Sequence, residues 1–237
     1  MQYKHAANAN YEDLSAGRVI YHKTGYAHFP VRLASEIFMR CLEFRNEPYE
    51  KIRLYDPCCG GGYLLTVLGF LHNDKIRAIY GSDVSDDAVY TAENNVNLLS
   101  AKGLVRRKEQ LEAMYIAHGK ESHADAIKSI EKLSAMVQNN IQCSVYKRDI
   151  LSIAEQPNPG LTADVIITDV PYGNLITWSS NAPAAINTML DNVLKNISEN
   201  AVLAICSNKQ QKINNTNYKR IKKLQAGKRK IEFFIQA

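Results

Sequence analysis

The stretch Leu54-Tyr-Asp-Pro-Cys-Cys-Gly-Gly-Gly-Tyr-Leu-Leu65 joins the end of an apolar strand, a turn of small residues and the start of an apolar helix. Glycines in such a turn let the backbone approach a ligand without a Cβ in the way. In open α/β sheets, ligands bind outside the carboxyl ends of the strands. The stretch therefore predicts a strand–turn–helix unit with Asp56 at a binding edge.

Short apolar runs before and after this unit predict seven strands. Helical patterns separate the first five, which indicates an α/β fold with a doubly wound, mainly parallel, Rossmann-like sheet. The last two flank a turn at Ala226-Gly227 and predict an antiparallel hairpin at the C-terminus. The predicted strands span residues 52–55, 78–81, 143–146, 164–168, 201–206, 218–224 and 230–235. One helical pattern begins at Val31, directly after Pro30. The clearest other helical patterns span residues 64–71, 87–99 and 184–197.

The length of 237 residues suits one α/β domain over residues 1–237 with an accessory piece. We expect residues 1–45 to form an N-terminal extension and a helix. Residues 100–141, rich in Lys, Glu, Ala and Leu, predict a helical insertion at the strand-end rim, between the second and third βα units. Gly119 marks the break between two helices, and Ser122-x-x-Asp125 resembles a capping signal for the second.

Composition excludes several classes of protein. The first residues lack the apolar run of a secretory signal, and the apolar run 63–71 is too short to span a bilayer, so we expect a cytoplasmic protein without a membrane partner. Five cysteines without a C-x-x-C pattern argue against a disulfide framework or a metal site. The net charge of +5 is concentrated near the C-terminus, at Lys219, Arg220, Lys222, Lys223, Lys228, Arg229 and Lys230.

Three aspartates at successive strand ends predict a nucleoside pocket. Asp83 lies about 20 residues after Gly62, the spacing at which a carboxylate holds ribose hydroxyls, and Asp149 can reach an adenine amino group. Position 65 is leucine where a dinucleotide-binding turn has its third glycine, and there is no P-loop for ATP. S-adenosylmethionine, which is cationic and has no phosphate, fits this set better. The alternative is that each aspartate caps the following helix.

The segment Thr168-Asp-Val-Pro-Tyr-Gly173 predicts where chemistry occurs. The Asp169 carboxylate can accept one N–H of an exocyclic base amine, a carbonyl held by Pro171 can accept the other, and Tyr172 can stack on the base. Transfer from a sulfonium requires no metal, so positioning carries most of the catalysis. The alternative is a strand that simply ends in a Pro-Tyr-Gly turn.

These motifs resemble class I S-adenosylmethionine-dependent methyltransferases with a D-P-P-Y-type fourth motif. Val170 stands where proline is usual, which weakens an assignment to DNA adenine or to a glutamine amide. The chain is also similar, in order and over nearly its whole length, to the avilamycin-resistance 23S rRNA guanine-N2 methyltransferases. The segments that carry this similarity are Phe29-Pro-Val-Arg-Leu-Ala-Ser-Glu-Ile-Phe, Asp56-Pro-Cys-Cys-Gly, Gly62-Tyr-Leu-Leu-Thr-Val-Leu-Gly, Ser82-Asp-Val and Thr168-Asp-Val-Pro-Tyr-Gly.

The resemblance implies methyl transfer from S-adenosylmethionine to guanine N2 in 23S rRNA or a large-subunit precursor. It implies either resistance to orthosomycin antibiotics or housekeeping modification. We expect a monomer without a metal. The predicted cofactor-binding residues are Asp56, Pro57, Cys58, Gly60, Gly62, Tyr63, Leu64, Asp83, Val84, Asp149 and Ile150, and the predicted catalytic residues are Asp169, Pro171 and Tyr172.

RNA contacts are predicted from cations interleaved with aromatic rings near the N-terminus, a pattern suited to unpaired RNA. An N-terminal wrap whose rings pack on the core explains the same pattern. The predicted substrate-binding residues are Lys23, Arg32, Gly173 and Trp178. Two other functions stay open at this point: methylation of DNA adenine N6 or protein glutamine, and RNA binding without catalysis on the same fold.

Overall fold

Seven strands, numbered along the chain, form one mixed sheet in this computed structural model. They are β1 (Ile52–Asp56), β2 (Ile76–Asp83), β3 (Gln142–Lys147), β4 (Ala163–Asp169), β5 (Ile197–Asn208), β6 (Tyr218–Ala226) and β7 (Arg229–Gln236). Their order in the sheet is β3-β2-β1-β4-β5-β7-β6, with the first five parallel and β7 antiparallel to both of its neighbours. The structure describes residues 1–22, 29–45, 47, 50–152, 161–170 and 182–237.

Helices cover both faces of the sheet. They are α1 (Val31–Arg45), α2 (Tyr63–Leu71), α3 (Asp86–Asn97), α4 (Ala101–His118), α5 (Glu121–Met136) and α6 (Ala182–Val193). Successive residues of β4 alternate between two apolar cores: Val165 and Ile167 join the core under α1 and α2, and Ile166 joins the core under α6. This burial on both faces explains why the central strands read as continuous apolar runs.

The predicted fold class is confirmed, and most boundaries differ by one or two residues. The main difference lies where α6 meets β5. The helix ends at Val193, a single 3-10 turn covers Leu194–Asn196, and β5 begins at Ile197, the last residue predicted to be helical. Strand pairing determines this, because Ile197 pairs with Ala163 of β4.

Residues 100–141 contain the two predicted helices, α4 and α5. Gly119 ends α4 in the left-handed conformation, at φ 62°, and its N–H donates to Tyr115 O at 2.7 Å. The predicted capping role of Ser122 is wrong, because α5 begins at Glu121 with Lys120 as its N-cap. No helix in the described ranges combines the length and apolarity that crossing a membrane requires.

The beginning of the N-terminal segment, which spans residues 1–22, is held by a buried glutamate. Glu36 of α1 accepts the backbone N–H groups of Lys4, His5 and Ala6, each at 2.8 Å, and the Nε–H of Arg40 at 2.7 Å. Burial raises the pKa of Glu36, but these donors outweigh it and lower that pKa to about 2. Residues 4–6 therefore pack against α1 as part of the fold.

Candidate active site

Four aspartates lie at the carboxyl ends of the parallel strands β1 to β4: three are the last residue of their strand, and Asp149 comes two residues after β3. We call Asp56, Asp83, Asp149 and Asp169 the carboxylate edge. Parallel strands bring their carboxyl ends to the same side of the sheet, and β1 lies between β2 and β4. The topology therefore brings together groups that lie far apart in the sequence, as the predicted nucleoside pocket requires.

Asp56 lies at the centre of this edge and is only 2% exposed. Its Oδ1 accepts the Cys58 N–H at 3.0 Å. The pKa of Asp56 is raised to about 7, mainly by burial. The charges of Asp83 and Asp169 act in the same direction, and the Thr168 side chain and the Cys58 N–H partly offset these effects. A carboxylate that feels two like charges in a buried space favours a positively charged ligand.

The adjacent turn faces the same group of acids. Burial raises the pKa of the Cys58 thiol, and so do the charges of Asp56, Asp83 and Asp149. The charges of Asp83 and Asp169 likewise act on Asp56, which agrees with the neighbouring strand ends lying close together.

The glycine turn is attached directly to the end of β2. The Gly60 N–H donates to Asp83 Oδ2 at 2.9 Å, and the Cys59 N–H donates to Ser82 O at 2.9 Å. Gly62 has a φ of 74°, and a Cβ there would lie 2.9 Å from the Cα of Ala92 in α3. Glycine is required at position 62 both by the backbone conformation and by close packing between the turn and a helix.

Asp83 is held so that it can still accept hydrogen bonds. Its Oδ1 accepts the Ser85 N–H at 3.0 Å, in addition to the bond from Gly60. A carboxylate has about four acceptor sites, so these two bonds leave capacity for two ribose hydroxyls. Val84, next in the chain, is 61% exposed and offers an apolar surface beside that position.

Asp149 and Ile150 occupy the equivalent place after β3. Asp149 Oδ1 accepts the Leu151 N–H at 2.9 Å, while Ile150 is buried and its carbonyl accepts from the Asn192 side chain at 2.7 Å. The Arg148 N–H donates to Asp83 O at 2.9 Å, which links this turn to the end of β2. A backbone hydrogen bond therefore connects the turn that bears Asp149, predicted to bind adenine, to Asp83, predicted to bind the ribose.

The remaining predicted cofactor residues lie at the turn or beneath it. Pro57 accepts the Ser82 hydroxyl at its carbonyl, at 3.2 Å, and Cys58 Sγ lies 3.9 Å from Met189 Sδ. Tyr63 donates its hydroxyl to Leu14 O at 2.9 Å, and Leu64 packs in the core under α1 and α2. The side chains of these two residues thus contribute to packing, so contact with a cofactor would have to involve their backbone.

Asp169, at the end of β4, faces a cation that the motif did not predict. Arg229 Nη2 lies 3.4 Å from Asp169 Oδ2, and the Arg229 guanidinium lies over the Phe29 ring, 5.1 Å from its centroid. The sequence analysis grouped Arg229 with the basic tail. The antiparallel pairing of β7 with β5, which sets Arg229 opposite Asn208, brings it to the carboxylate edge.

The other predicted site residues divide into two groups. Lys23, Pro171, Tyr172, Gly173 and Trp178 lie outside the described residues. Arg32 holds the N-terminal segment: its Nε–H donates to Ala6 O at 3.2 Å and its guanidinium lies 4.0 Å from the Tyr3 ring centroid. These contacts engage Arg32 within the fold, and its role toward RNA stays a prediction.

Two buried polar residues that the sequence analysis left without a role support the site. Thr168, next to Asp169 in the chain, is fully buried and lowers the pKa of Asp56. Asn95 of α3 is fully buried, donates its Nδ2–H to Gly61 O at 2.8 Å and to Tyr21 O at 3.0 Å, and accepts the Tyr21 N–H at 2.7 Å. It therefore joins the glycine turn to the N-terminal segment. Its position on the buried face of an amphipathic helix was the available signal, since buried polar groups need partners.

The chemistry of the carboxylate edge can be compared with three ligand classes. A pyrophosphate would meet four carboxylates and be repelled. Within the described ranges, no group of three or more His, Cys, Asp or Glu side chains is arranged to hold a metal ion. A nucleoside with hydroxyls, an amino group and a positive charge matches acceptors at each position. The residues present therefore fit S-adenosylmethionine.

Comparison with known proteins agrees with this geometry. A family profile described as "RRNA methyltransferase AviRa" matches residues 1–229. The chain belongs to the AviRa family. A 23S rRNA (guanine(2535)-N(1))-methyltransferase of Streptomyces viridochromogenes is 33% identical over 234 residues, which cover 96% of this chain and 93% of the relative. The predicted membership of the avilamycin-resistance methyltransferases is confirmed.

Solved structures agree with the family assignment. The AviRa rRNA methyltransferase of S. viridochromogenes, solved at 1.5 Å, has a TM-score of 0.89 and 31% identity, with 100% of this chain and 96% of that chain covered. A Listeria monocytogenes protein described as a class I S-adenosylmethionine-dependent methyltransferase has a TM-score of 0.54 and 15% identity, covering 92% of this chain and 63% of that one. The second match shows the shared fold alone.

One expectation needs correction within the AviRa family. The resemblance implied transfer to the exocyclic N2 of guanine, whereas the name of the S. viridochromogenes relative specifies the ring nitrogen N1. The motif reasoning could not separate them, because both nitrogens carry hydrogens that a carboxylate such as Asp169 can accept.

Proposed function

We propose that this protein transfers a methyl group from S-adenosylmethionine to N1 of a guanine in 23S rRNA. The observation that carries the proposal is the carboxylate edge, in which buried Asp56 feels the charges of Asp83 and Asp169 beside a glycine turn. The rRNA methyltransferase family supports the class of substrate, and the name of the S. viridochromogenes relative supports the position on the base.

The acids of the edge divide the recognition of the cofactor between them. In this proposal Asp83 accepts the ribose hydroxyls, Asp149 accepts the adenine amino group, and Asp56 faces the ammonium of the methionine part. When bound, S-adenosylmethionine supplies an electrophilic methyl on a sulfonium. The protein supplies the orientation, which is the larger part of catalysis when a good leaving group is already present.

Guanine N1 makes a specific demand on the protein. In neutral guanine this nitrogen carries a hydrogen, so the proton must leave as the nitrogen forms a bond to carbon. We assign the proton to the Asp169 carboxylate, which lies at the end of β4 beside the nucleoside space. The target base must first be unpaired or turned out of its helix, since a stacked base does not reach a pocket of this kind.

Nucleoside mass spectrometry tests the proposal. Purified protein, S-adenosylmethionine and 23S rRNA should yield N1-methylguanosine at one position, and Asp83→Ala, which removes the ribose acceptor, should yield none. N2-methylguanosine instead would overturn the N1 assignment, and label found in DNA or protein but not in RNA would overturn the substrate class. A protein that fails to bind the cofactor in calorimetry would instead be an RNA-binding protein on a methyltransferase fold.

A cellular experiment tests the role that the family name suggests. We propose that expression of this chain lowers susceptibility to orthosomycins in a host whose rRNA lacks the modification. The Asp83→Ala variant is the matched control. Protection by both proteins would show that methylation is not its cause, and methylation without protection would indicate a housekeeping role.

A further inference from the structure

A guanidinium lies at the open side of the carboxylate edge, next to the proposed proton acceptor. Arg229 Nη2 is 3.4 Å from Asp169 Oδ2, and the two side chains are 22% and 20% exposed. Both are thus partly open to solvent, unlike Asp56. The ring of Phe29, which is 4% exposed, lies beneath the guanidinium at 5.1 Å. The acid–cation pair is therefore partly accessible at the carboxyl end of β4.

The fold places this cation by strand pairing. In β5, Cys206 pairs with Asp169 on one side and with Ile231 of β7 on the other. Arg229 is two residues before Ile231, on a strand that runs in the opposite direction, so it extends past the end of β4 toward the substrate side. The pairing of Arg229 with Asn208 and the Phe29 ring hold it there.

The pair matches one edge of guanine. On that edge the O6 acceptor lies beside the N1–H donor, so a carboxylate acceptor next to a guanidinium donor is complementary to it. A guanidinium carries five N–H donors in a rigid fork, and so it can contact a carboxylate and a base oxygen together. Adenine has an amino group in place of O6, and a guanidinium has no acceptor for it.

The same contact has a chemical consequence. When N1 loses its proton, the electron pair left on the ring is shared with O6, which gains negative charge. A donor placed in advance at that oxygen stabilises the charge as it develops. The proton passes from N1 to Asp169, the N1 electron pair forms the bond to the methyl carbon, and the carbon–sulfur pair stays on sulfur.

We propose that Arg229 binds O6 of the target guanine and stabilises the charge that collects there during methyl transfer. The inference rests on the proposed function and adds a residue that selects guanine over adenine. Arg229 would thus be both a specificity residue and a catalytic residue. A phosphate contact is the competing role for an arginine at this place, and the experiment separates the two.

The first measurement is a binding cycle without turnover. Two oligonucleotides carry the mapped target position, one with guanine and one with 2-aminopurine, which lacks both O6 and the N1–H. The unmodified protein should bind the guanine RNA more tightly, and Arg229→Gln should reduce that preference by about 10-fold or more, the expected value of a charged hydrogen bond to O6. The preference that remains in Arg229→Gln belongs to the N1–H. A phosphate contact would weaken both RNAs equally, and that result would overturn the proposal.

Lys228→Gln is the matched control, since it removes one neighbouring exposed charge. It should weaken both oligonucleotides by the same factor. Arg229→Lys keeps the charge without the fork and should recover only part of the preference. Cofactor affinity, measured by calorimetry, should be unchanged in all three variants, which shows that each is folded.

The second measurement is the single-turnover methylation rate as a function of pH. Arg229→Gln should lower the rate at neutral pH by about 10²- to 10³-fold, the effect of removing one such donor, and should shift its rise with pH to more alkaline values. A normal rate and profile, in a protein that still produces N1-methylguanosine, would refute the role of Arg229 and leave the proposed function intact. Absence of N1-methylguanosine with the unmodified protein would instead reject the proposed function.

Discussion

Asp56 and Asp169 end the adjacent strands β1 and β4, yet their surroundings differ. Asp56 is 2% exposed, accepts a backbone N–H, and has no ion-pair partner among the residues that the structure describes. Asp169 is partly exposed and lies 3.4 Å from the Arg229 guanidinium. Asp56 is therefore buried near like charges, whereas Asp169, at the same edge of the sheet, lies next to a cation.

This difference indicates two functions along one edge. A buried acid without a cation of its own gains most from a ligand that brings positive charge. An acid that already faces a guanidinium gains less from such a ligand, and the pair offers an acceptor and a donor side by side. We therefore assign the Asp56 side to the cofactor and the Asp169 side to the base, and the following predictions test that division.

The largest effect is expected on the base side. Asp169→Asn should lower the single-turnover methylation rate by about 10²- to 10⁴-fold, the usual contribution of a positioned proton acceptor. Cofactor affinity should not change, because the amide replaces a group that does not contact the cofactor. Calorimetry and rapid-quench kinetics on the same preparation measure both quantities. Equal losses in binding and rate would show that the two sides are not separate.

The next largest effect is expected on the cofactor side. Asp83→Ala should weaken S-adenosylmethionine binding by about 100-fold or more, since it removes two charged hydrogen bonds to the ribose. It also removes the acceptor for the Gly60 and Ser85 N–H groups, so the turn should loosen. Asp83→Asn, which keeps one acceptor oxygen, is the control and should bind with intermediate affinity. Full affinity in Asp83→Ala would place the ribose elsewhere.

A smaller effect is expected from pH. The pKa of Asp56 is raised to about 7, and a bound ammonium should lower it. Cofactor affinity should therefore rise with pH up to about 7 and level off above it, by at most about tenfold per pH unit. Asp56→Asn should flatten this dependence. An affinity that increases as the pH falls below 7 would contradict the assigned charge pairing.

The raised pKa of Asp56 also determines how the stability of the ligand-free protein changes with pH. Because the pKa of Asp56 in the folded protein lies above the ordinary value of 3.8, the buried ionised form destabilises the fold. This contribution disappears as the pH falls from above 7 toward 4, so Asp56 itself stabilises the protein on acidification. The difference in unfolding free energy between the unmodified protein and Asp56→Asn, followed over that range, isolates this effect.

The smallest effect is expected on β6, away from both the Asp56 side and the Asp169 side of the carboxylate edge. Lys222 and Lys223 on edge strand β6 are exposed, without an ion-pair partner in the described ranges. Changing both to Gln should weaken RNA binding and reduce its salt dependence by about 0.7 in slope per phosphate contact. Lys128 and Lys132 of α5, which pair with Asp125 and Asp13, are the controls. Equal losses in both pairs would show that RNA spans both regions.

The local sequence pattern was enough to predict where strands and helices occur, as the four strands β1 to β4 show. Each combines an apolar run with a following polar turn, and the helices between them have clear amphipathic periods. The boundary near Ile197 could not be predicted in this way. Its strand state depends on pairing with Ala163, a residue far away in the sequence.

For the site, the sequence by itself determined the acids, the glycine turn and their places at the ends of parallel strands, which align their carboxyl ends at one edge of a sheet. Only the tertiary structure decided what each acid meets: burial and like charge at Asp56, and Arg229 at Asp169. The physical reason is that periodicity arises between neighbours in the chain, whereas burial and ion pairing arise between segments that meet only after folding.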